Sequence, residues 1–351
     1  MKDCIPLLLE WYSLNKRNLP WRHDINPYHV WLSEIMLQQT RIEAVIPYYY
    51  RFLQKLPTIE DLALVSENEL LKLWEGLGYY NRARNLKKAA EVIVVNYNGF
   101  FPNEYSELLK LPGVGEYTAS AISSICFGKP EVTIDGNVLR VYMRFSNCFD
   151  NIDKREVRKK VREELMKIIP QSQSGCFNQA LMELGETICL PGGIPKCNLC
   201  PLRDLCQGLK NHTFLDLPVR DKKLDKKVEK YAVLLLIYND KLAICQRESN
   251  GLLANFWQFP MLKDVFSMTE IEQYFKDFSI KYEKINQSIT YTHVFTHKKW
   301  EMSSFECYVE RPISGYTWVS LEELLHNYPF PSAFRPFLEN LSEKWNENWK
   351  K

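Results

Sequence analysis

The sequence predicts a multidomain protein in which a mostly α-helical N-terminal domain is followed by a smaller α/β domain. Its 351 residues suit two domains, and 46% of them are hydrophobic, enough for two cores. Up to about Gly208, apolar residues recur at helical spacing, as in the segments 83–97 and 156–169. Beyond that point the apolar residues form short or alternating runs that are typical of strands.

Composition narrows the class of protein. The longest apolar runs, such as 232–238, have the length of a strand and are too short to cross a membrane. The N-terminal apolar run is short and carries acidic residues, so we predict no secretion signal and expect a cytoplasmic protein. A net charge of +2 does not by itself indicate a nucleic-acid partner, although a local basic patch is compatible with it.

The first informative stretch is WLSEIMLQQT, residues 31–40, which has the pattern of a helix. Glu34 stands there in a largely apolar run, and its neighbours three and four positions away share its helix face. An apolar helix face raises the pKa of a carboxyl group, because burial disfavours the charged form. Glu34 is therefore suited to give up a proton near neutral pH.

A second stretch, LPGVGEYTASAI (111–122), predicts a tight turn between a helix ending near residue 111 and a new helix from Glu116. Gly113 and Gly115 let the backbone approach a ligand closely, and a helix N-terminus offers unpaired N–H groups. Such a turn suits one phosphate of a nucleic-acid backbone. A bare G-x-G would indicate an ordinary turn, but the full pattern resembles the DNA-binding helix-hairpin-helix. Asp135, in TIDGNVLR, would by itself be a simple helix N-cap.

Four of the ten cysteines lie within eighteen residues and have the spacing C-x7-C-x2-C-x5-C. They are Cys189, Cys197, Cys200 and Cys206. In a reducing compartment such a group favours metal binding over disulfides. Four thiolates suit zinc or a [4Fe–4S] cluster. Structural zinc usually uses two close cysteine pairs, and only one C-x2-C pair is present here.

The stretch LPVRDKKLDKKVEK, residues 217–230, is charged and lacks aromatic residues, which predicts an interdomain linker. A solvated connector is favoured over a phosphate-binding role for its lysines. Apolar runs at 231–238 and 241–247 flank Asn239-Asp240 and predict a hairpin, followed by strands at 289–296 and 300–309 and a short helix at 321–327. The predicted domains are therefore 1–216, which includes the cysteine segment 189–206, and 231–351.

The order of WLSEIMLQQT, WEGLGYYNRARNL, LPGVGEYTASAI, TIDGNV and the four cysteines resembles the helix-hairpin-helix DNA glycosylases, and most of all the adenine DNA glycosylase (MutY) family. Later segments, NFWQFP, VFTHKKWEM and YPFPSAF, resemble the Nudix-like domain of that family. The resemblance implies a monofunctional base-excision repair enzyme that removes adenine mispaired with 8-oxoguanine or guanine. It also implies a [4Fe–4S] cluster, a monomer that acts on double-stranded DNA, and a nucleoid-associated location in a bacterial cytoplasm.

The resemblance assigns the chemistry to two carboxyl groups. Glu34 is expected to protonate adenine, and Asp135 to stabilise or trap the sugar cation. A helix start favours the ionised form of Asp135, so the two acids are expected to have opposite protonation states. Asn137 is expected to support Asp135. Tyr117 stands where related bifunctional enzymes carry a Schiff-base lysine, so base removal without lyase chemistry is expected.

The resemblance also assigns binding residues. Trp21 and Arg22 match positions near the adenine pocket. Gln39, Thr40, Leu77 and Tyr79 match positions that insert beside, or contact, the base opposite the flipped adenine. Phe295, Thr296 and His297 match the family's F-S-H loop for oxidised guanine, with Thr in place of Ser, and the neighbouring Lys298 and Lys299 suit a loop facing phosphate. No glutamate-rich magnesium helix is visible, so we expect this domain to bind and not to hydrolyse. The family's cysteine spacing, C-x6-C-x2-C-x5-C, is one residue shorter in its first gap.

Other interpretations stay open from the residues alone. Trp21, Tyr117, Leu77 and Tyr79 also suit core packing, and Arg22 suits a surface ion pair. Two other functions fit part of the pattern: an endonuclease III-like pyrimidine-lesion glycosylase with lyase activity, and a non-catalytic DNA-binding relative. The missing hairpin lysine argues against the first, and the presence of both carboxyl groups argues against the second.

Overall fold

The structure, a computed structural model, describes residues 2–222, 225–265 and 267–348. It divides into two compact units: unit 1 comprises Met1–Val65 and Arg84–Lys223, and unit 2 comprises Ser66–Ala83 and Leu224–Lys351. The boundary between residues 223 and 224 lies inside the predicted linker 217–230, and these two residues are outside the described part of the chain. The sequence did not indicate that 66–83 groups with the C-terminal residues. The contiguous domain boundaries, 1–216 and 231–351, stay a prediction.

Helices dominate unit 1, whose described residues contain no strand. The helices of the chain are α1 (Ile5–Asn15), α2 (Pro27–Leu37), α3 (Ile42–Lys55), α4 (Ile59–Leu64), α5 (Glu67–Leu73), α6 (Asn81–Tyr97), α7 (Tyr105–Leu108), α8 (Glu116–Phe127), α9 (Gly136–Ser146), α10 (Arg155–Met166), α11 (Ser174–Thr187), α12 (Gln207–Lys210), α13 (Met268–Asp277), α14 (Leu321–Asn327) and α15 (Arg335–Asn348). Helices α5 and α13–α15 belong to unit 2. Among the described residues, none of the helices has both the length and the apolar character that crossing a membrane requires.

The helix starts that matter for function follow from local chemistry. Helix α2 begins with Pro27 after Asn26, whose side chain accepts a hydrogen bond from the Tyr28 N–H. Helix α9 begins after Asp135, whose carboxylate accepts from the Val138 N–H. Helices α1, α9, α10 and α11 bury their apolar faces in one core, for example at Leu8, Leu139 and Leu181. This shared core holds α9 and α11 in place against each other.

Unit 2 is built on a mixed sheet. Its strands are β1 (Lys227–Tyr238), β2 (Lys241–Gln246), β3 (Trp257–Gln258), β4 (Met261–Lys263), β5 (Tyr282–Val294), β6 (Lys298–Val309) and β7 (Thr317–Val319). The order is β3-β2-β1-β6-β5, with β4 paired to β1 and β7 to β2. Strand β1 runs parallel to β6, and the other paired strands are antiparallel.

Helices cover both faces of this sheet. Val233 and Leu235 of β1 share a core with Phe337 of α15. Leu234 and Leu236 lie in a second core with Phe275 of α13. Burial on both faces explains why this strand is a continuous apolar run instead of an alternating one.

Several elements predicted from the sequence are confirmed. Helices α6, α10 and α14 correspond to the segments 83–97, 156–169 and 321–327. The β1–β2 hairpin turns at Asn239 and Asp240, which both have positive φ, as a two-residue hairpin requires. Strand β1 begins at Lys227, inside the segment predicted as linker. The short strands β3, β4 and β7 and helices α13 and α15 were not predicted.

Candidate active site

A cavity of ≈ 690 Å³ opens in unit 1 between α2, α8, α9 and α11. Of the residues selected from the sequence, it brings together Trp21, Arg22, Glu34, Gln39, Thr40, Tyr117, Asp135 and Asn137. Further polar residues line it that the sequence did not single out: Gln38, Arg41, Arg140, Gln179, Glu183 and Glu186. Apolar lining comes from residues such as Ile125, Ile134 and Met182. A cavity with apolar walls and a few convergent polar groups is the usual form of a ligand site.

Glu34 lies on α2, where eight of the eleven helix residues are buried, and is itself 8% exposed. The Tyr117 hydroxyl donates to Glu34 Oε2 at 2.6 Å and lies 3.3 Å from Met182 Sδ. Burial raises the pKa of Glu34 to about 7, against a smaller opposing effect of the hydrogen bond from Tyr117. The predicted raised pKa of this carboxyl group is confirmed. Glu34 is therefore able to donate a proton near neutral pH.

Asp135 caps helix α9 and faces the same cavity. Its Oδ1 accepts from the Val138 N–H at 2.7 Å, and its Oδ2 accepts from Asn137 Nδ2 at 2.8 Å. These bonds favour the ionised form, but burial outweighs them and raises the pKa of Asp135. The helix start thus favours the ionised form as expected, but the pKa of Asp135 is raised overall, because the local sequence did not reveal how deeply this carboxyl group is buried. Both carboxyl groups titrate above their ordinary ranges.

An ion-pair network of Arg17, Arg22, Glu183 and Glu186 borders the cavity. Glu183, only 1% exposed, accepts from Arg17 Nε at 2.6 Å and from Arg22 Nη2 at 2.8 Å. These two arginines hold the pKa of Glu183 below its usual range despite burial. Arg22 is thus a partner of a buried carboxylate and not of a surface one. Glu186, which accepts from Asn137 at 3.3 Å, pairs with Arg17 too.

Helix α11 contributes four of the lining residues that the sequence analysis missed. Met182 and Glu183 each lie three or four positions from Gln179 and from Glu186, so the four residues share one helix face. That spacing was the available signal, although it did not indicate which face is buried. The Tyr12 hydroxyl donates to Gln179 Oε1 at 3.1 Å and so orients this amide. Trp21 is 7% exposed and packs edge-on against Tyr49, which makes it both a buried aromatic residue and a cavity wall.

The predicted hairpin lies between α7 and α8, both within unit 1. Gly113 has φ +75°, and a Cβ at this position would lie 2.5 Å from Asn85 Cβ, so only glycine fits. Gly115 is exposed, and a Cβ there would contact nothing within 4 Å, so the N-terminus of α8 is open to a ligand. Both features suit the close approach of a phosphate to backbone N–H groups.

The four selected cysteines line a second, small cavity of ≈ 30 Å³ in unit 1, together with Arg144 and Arg203. Arg144 Nη1 lies 3.4 Å from Cys189 Sγ, so a positive charge faces the thiols. The first cysteine gap, which is one residue longer than the family spacing, contains the exposed loop 191–194. No group of three or more His, Cys, Asp or Glu side chains converges on a single metal ion in the described part of the chain.

In unit 2, the turn 74–80 contains Leu77 and Tyr79, two of the four residues predicted to contact the opposite base. Gly76 and Gly78 have positive φ, as does Tyr79, which confirms the predicted turn. Tyr79 is 46% exposed, whereas Leu77 is 6% exposed. Tyr79 therefore protrudes, whereas Leu77 is buried in this structure, and its contact with the opposite base stays a prediction. The Arg82 side chain holds this turn closed, because its Nη2 donates to both the Leu77 and the Gly78 carbonyl oxygens.

Phe295, Thr296 and His297 form the tip of the hairpin between β5 and β6. Thr296 and His297 are exposed, and Thr296 Oγ1 lies 2.8 Å from the Tyr79 hydroxyl in the same unit. The flanking lysines are already paired: Lys298 with Glu229, and Lys299 with Glu301. Their predicted role facing phosphate is therefore not visible in this structure.

Comparison with known proteins agrees with this geometry. A model of the HhH-GPD superfamily of base excision DNA repair proteins matches residues 32–171, and one of the NUDIX domain matches residues 232–340. An adenine DNA glycosylase of Buchnera aphidicola subsp. Baizongia pistaciae is 36% identical over 292 residues, which cover 83% of this chain and 82% of that protein. The chain belongs to the adenine DNA glycosylase family. The family predicted from the sequence, and with it the class of DNA repair glycosylases, is confirmed.

Other relatives extend this assignment. An adenine DNA glycosylase of Arabidopsis thaliana is 34% identical, covering 83% of this chain and 54% of that protein. A thermostable thymine-DNA glycosylase structure is 31% identical and covers 60% of this chain and 96% of its own, with a TM-score of 0.55. A trapped endonuclease III–DNA covalent intermediate is 29% identical over 60% of this chain and 98% of its own, with a TM-score of 0.52. The predicted fold class, a helical glycosylase domain followed by a Nudix-like domain, is thereby confirmed for this member of the adenine DNA glycosylase family.

Proposed function

We propose that this protein hydrolyses the N-glycosidic bond of adenine mispaired with 8-oxoguanine or guanine in double-stranded DNA. The observation that supports it most is Glu34, a buried carboxyl group with a pKa near 7 beside a second carboxyl group in one cavity. A leaving adenine needs a proton, and the sugar left behind needs a nearby negative charge. Glu34 and Asp135 supply these two requirements.

The reaction follows from their positions. As the bond between C1′ and the base breaks, its electron pair leaves with the base, and the Glu34 carboxyl group transfers its proton to an adenine ring nitrogen. Asp135, as a carboxylate, stabilises the cation that develops on the sugar. Water then adds to C1′ and gives up a proton to the Glu34 carboxylate, which restores the acid. The products are free adenine and an abasic site.

Tyr117 supports a monofunctional reaction. A lyase step needs an amine that forms a Schiff base with C1′, and the hairpin helix offers a phenol bound to Glu34 instead. Burial and the neighbouring carboxylates hold the pKa of Tyr117 well above its usual range, so it remains a hydrogen-bond donor. The endonuclease III-like alternative, whose relative was trapped as a covalent DNA intermediate, is therefore disfavoured.

We propose that unit 2 contributes to recognition of the base opposite adenine. Tyr79 is exposed at a turn, and Thr296 and His297 are exposed at a hairpin tip, where hydroxyl and imidazole groups are available to hydrogen-bond a base edge. The hydrogen bond between Tyr79 and Thr296 supports a single recognition surface. An exposed aromatic ring stacks on bases, which contributes about 1–3 kcal/mol per base.

We further propose that the protein acts as a monomer.

We propose that Cys189, Cys197, Cys200 and Cys206 hold a [4Fe–4S] cluster. The four cysteines line one small cavity, and Arg144 provides a positive charge beside Cys189. When bound, such a cluster supplies structural support to the loop around it. Arg140 donates to the Cys189 carbonyl oxygen at 2.7 Å and to Asn137 Oδ1 at 2.8 Å, so the cysteine segment and the cap of α9 share one arginine.

The test of the chemistry compares Glu34→Gln and Asp135→Asn with the wild type. Each variant keeps the shape of its side chain and removes either the proton donor or the negative charge, so base excision should fall by at least about a thousandfold. Binding of a mispaired duplex should remain within a few-fold of wild type. Glu156→Gln, an exposed glutamate on α10, is the matched control and should retain full activity. Near-normal turnover by either active-site variant would refute the assignment.

A further inference from the structure

The hairpin tip between β5 and β6 is exposed to solvent, and a backbone hydrogen bond closes its turn. The Phe295 N–H donates to the Lys298 carbonyl oxygen at 2.8 Å, so the four residues 295–298 form a tight turn. Thr296 and His297 are exposed at its end, whereas Phe295 is half-buried. The tip therefore presents two polar side chains from a fixed base.

An aromatic cluster lies beneath the tip. The Phe295 ring packs edge-on against Trp300, with ring centres 4.8 Å apart, and against His293 at 4.6 Å. Trp300 is only 2% exposed, so its position is set by the core of unit 2. The position of Phe295, and thus the orientation of the tip, depends on Trp300.

One carboxylate on the neighbouring strand links this cluster to the tip. Glu229 lies on β1 opposite Trp300 of the parallel strand β6. It accepts from the Trp300 indole N–H at 2.9 Å, from Lys298 Nζ at 2.9 and 3.1 Å, and from the Tyr231 hydroxyl at 3.2 Å. The Glu229 side chain is 10% exposed. It therefore joins the last residue of the turn to the ring on which Phe295 rests.

Two further features agree with a fixed anchor. Lys226 Nζ, three residues before Glu229, donates to the Phe295 carbonyl oxygen at 2.7 Å. Hydrogen bonds from Lys298 first, and then from Trp300, lower the pKa of Glu229 to about 2. The carboxylate therefore stays ionised throughout the neutral range. Both anchoring residues come from the stretch whose sequence suggested only a solvated linker.

We propose that Glu229 is a positioning residue for the tip 295–297 and thereby sets the preference for 8-oxoguanine over guanine, an inference that rests on the proposed function of that tip. Two purines that differ in few groups are distinguished only if the reading side chains are held to within about 0.5 Å. Removal of Glu229 leaves the Lys298 charge and the Trp300 N–H without their acceptor. The tip then has to become ordered when DNA binds, and this cost removes its binding preference for 8-oxoguanine over guanine.

The experiment measures dissociation constants for two duplexes that carry 2′-fluoro-2′-deoxyadenosine, which resists cleavage, opposite 8-oxoguanine or guanine. In Glu229→Ala the ratio of the two constants should fall about tenfold toward one. Glu229→Gln keeps an acceptor for Trp300 but loses the charge, so its ratio should be intermediate. The matched control is Glu301→Ala, which removes a neighbouring ion pair with Lys299 on β6 and should keep the wild-type ratio.

The outcomes separate this inference from the function on which it rests. A wild-type ratio near one would refute 8-oxoguanine recognition, and the role of Glu229 with it. A clear wild-type preference that Glu229→Ala retains would overturn the inference alone, as would equal weakening on both duplexes, which is the mark of a merely structural residue. Thermal unfolding of each variant shows whether it is folded at the temperature of the measurement. If Glu229→Ala does not fold, Glu229→Gln and Lys298→Met, which breaks the same tie from the other side, decide the question by the same ratio.

Discussion

The hydrogen bond from Tyr117 to Glu34 makes a quantitative prediction about pH. Glu34 must be protonated to act as the acid, so the excision rate should fall as pH rises through the pKa of Glu34, about 7. The 2.6 Å bond from Tyr117 stabilises the ionised form and so lowers that pKa. A hydrogen bond to a charged acceptor is about 1 kcal/mol stronger than one to a neutral acceptor, which corresponds to about one pKa unit. Tyr117→Phe should therefore move the alkaline limb of the pH–rate profile upward by about one pH unit.

The assay is single-turnover excision with enzyme in excess, from pH 5 to about 9.5, so that the profile reports the enzyme–DNA complex. Asp135, Arg22 and Glu186 also influence the pKa of Glu34, and all three remain in the variant. Tyr142→Phe is the matched control, because Tyr142 lies on α9 outside the cavity lining, and its profile should equal that of the wild type. An alkaline limb that stays in place or moves to lower pH in Tyr117→Phe would refute the reasoning.

Three more predictions follow from the described contacts. Glu34→Gln should stabilise the protein relative to wild type by up to about 3 kcal/mol more at pH 8 than at pH 4. The reason is that the wild-type protein loses stability between pH 4.5 and about pH 7, where Glu34 ionises readily in the unfolded chain but not in its buried site. Denaturant unfolding at both pH values measures this difference, and an equal effect at both would contradict it. Cys200→Ser should abolish brown colour and bound iron, whereas exposed Cys176→Ser should retain both, and a colourless active wild type containing zinc would refute the cluster. Thr296→Val should lower the preference for 8-oxoguanine over guanine in competitive binding, while Thr292→Val, an exposed threonine on β5, should not; equal behaviour of the two variants would argue against the tip.

The parts of the site that depend on local pattern were predictable from the sequence. The spacing of apolar residues around Glu34 indicated a buried carboxyl group, and burial raises its pKa as expected. The glycines at 113 and 115 indicated a turn with an open helix start, and the structure has both. Each of these features is decided by residues within one or two helical turns.

The parts that depend on distant neighbours were not predictable. The direction of the Asp135 pKa is decided by burial between α9 and the facing elements, which a local helix start does not reveal. Glu183 is buried because Arg17 and Arg22 pair with it from more than 160 residues away. Glu229 stands in a charged stretch, and only its pairing with Trp300, 71 residues later, makes it part of a folded anchor.

The measurement that tests the central claim most directly is single-turnover cleavage of end-labelled duplexes with adenine opposite 8-oxoguanine, guanine or thymine, with and without alkali. We predict strand breaks only after alkali treatment, fastest opposite 8-oxoguanine, slower opposite guanine and absent opposite thymine. Breaks without alkali would contradict the monofunctional mechanism, and rates independent of the opposite base would contradict mispair recognition. Bound DNA that is never cleaved would show that the paired carboxyl groups Glu34 and Asp135 do not perform the chemistry proposed for them.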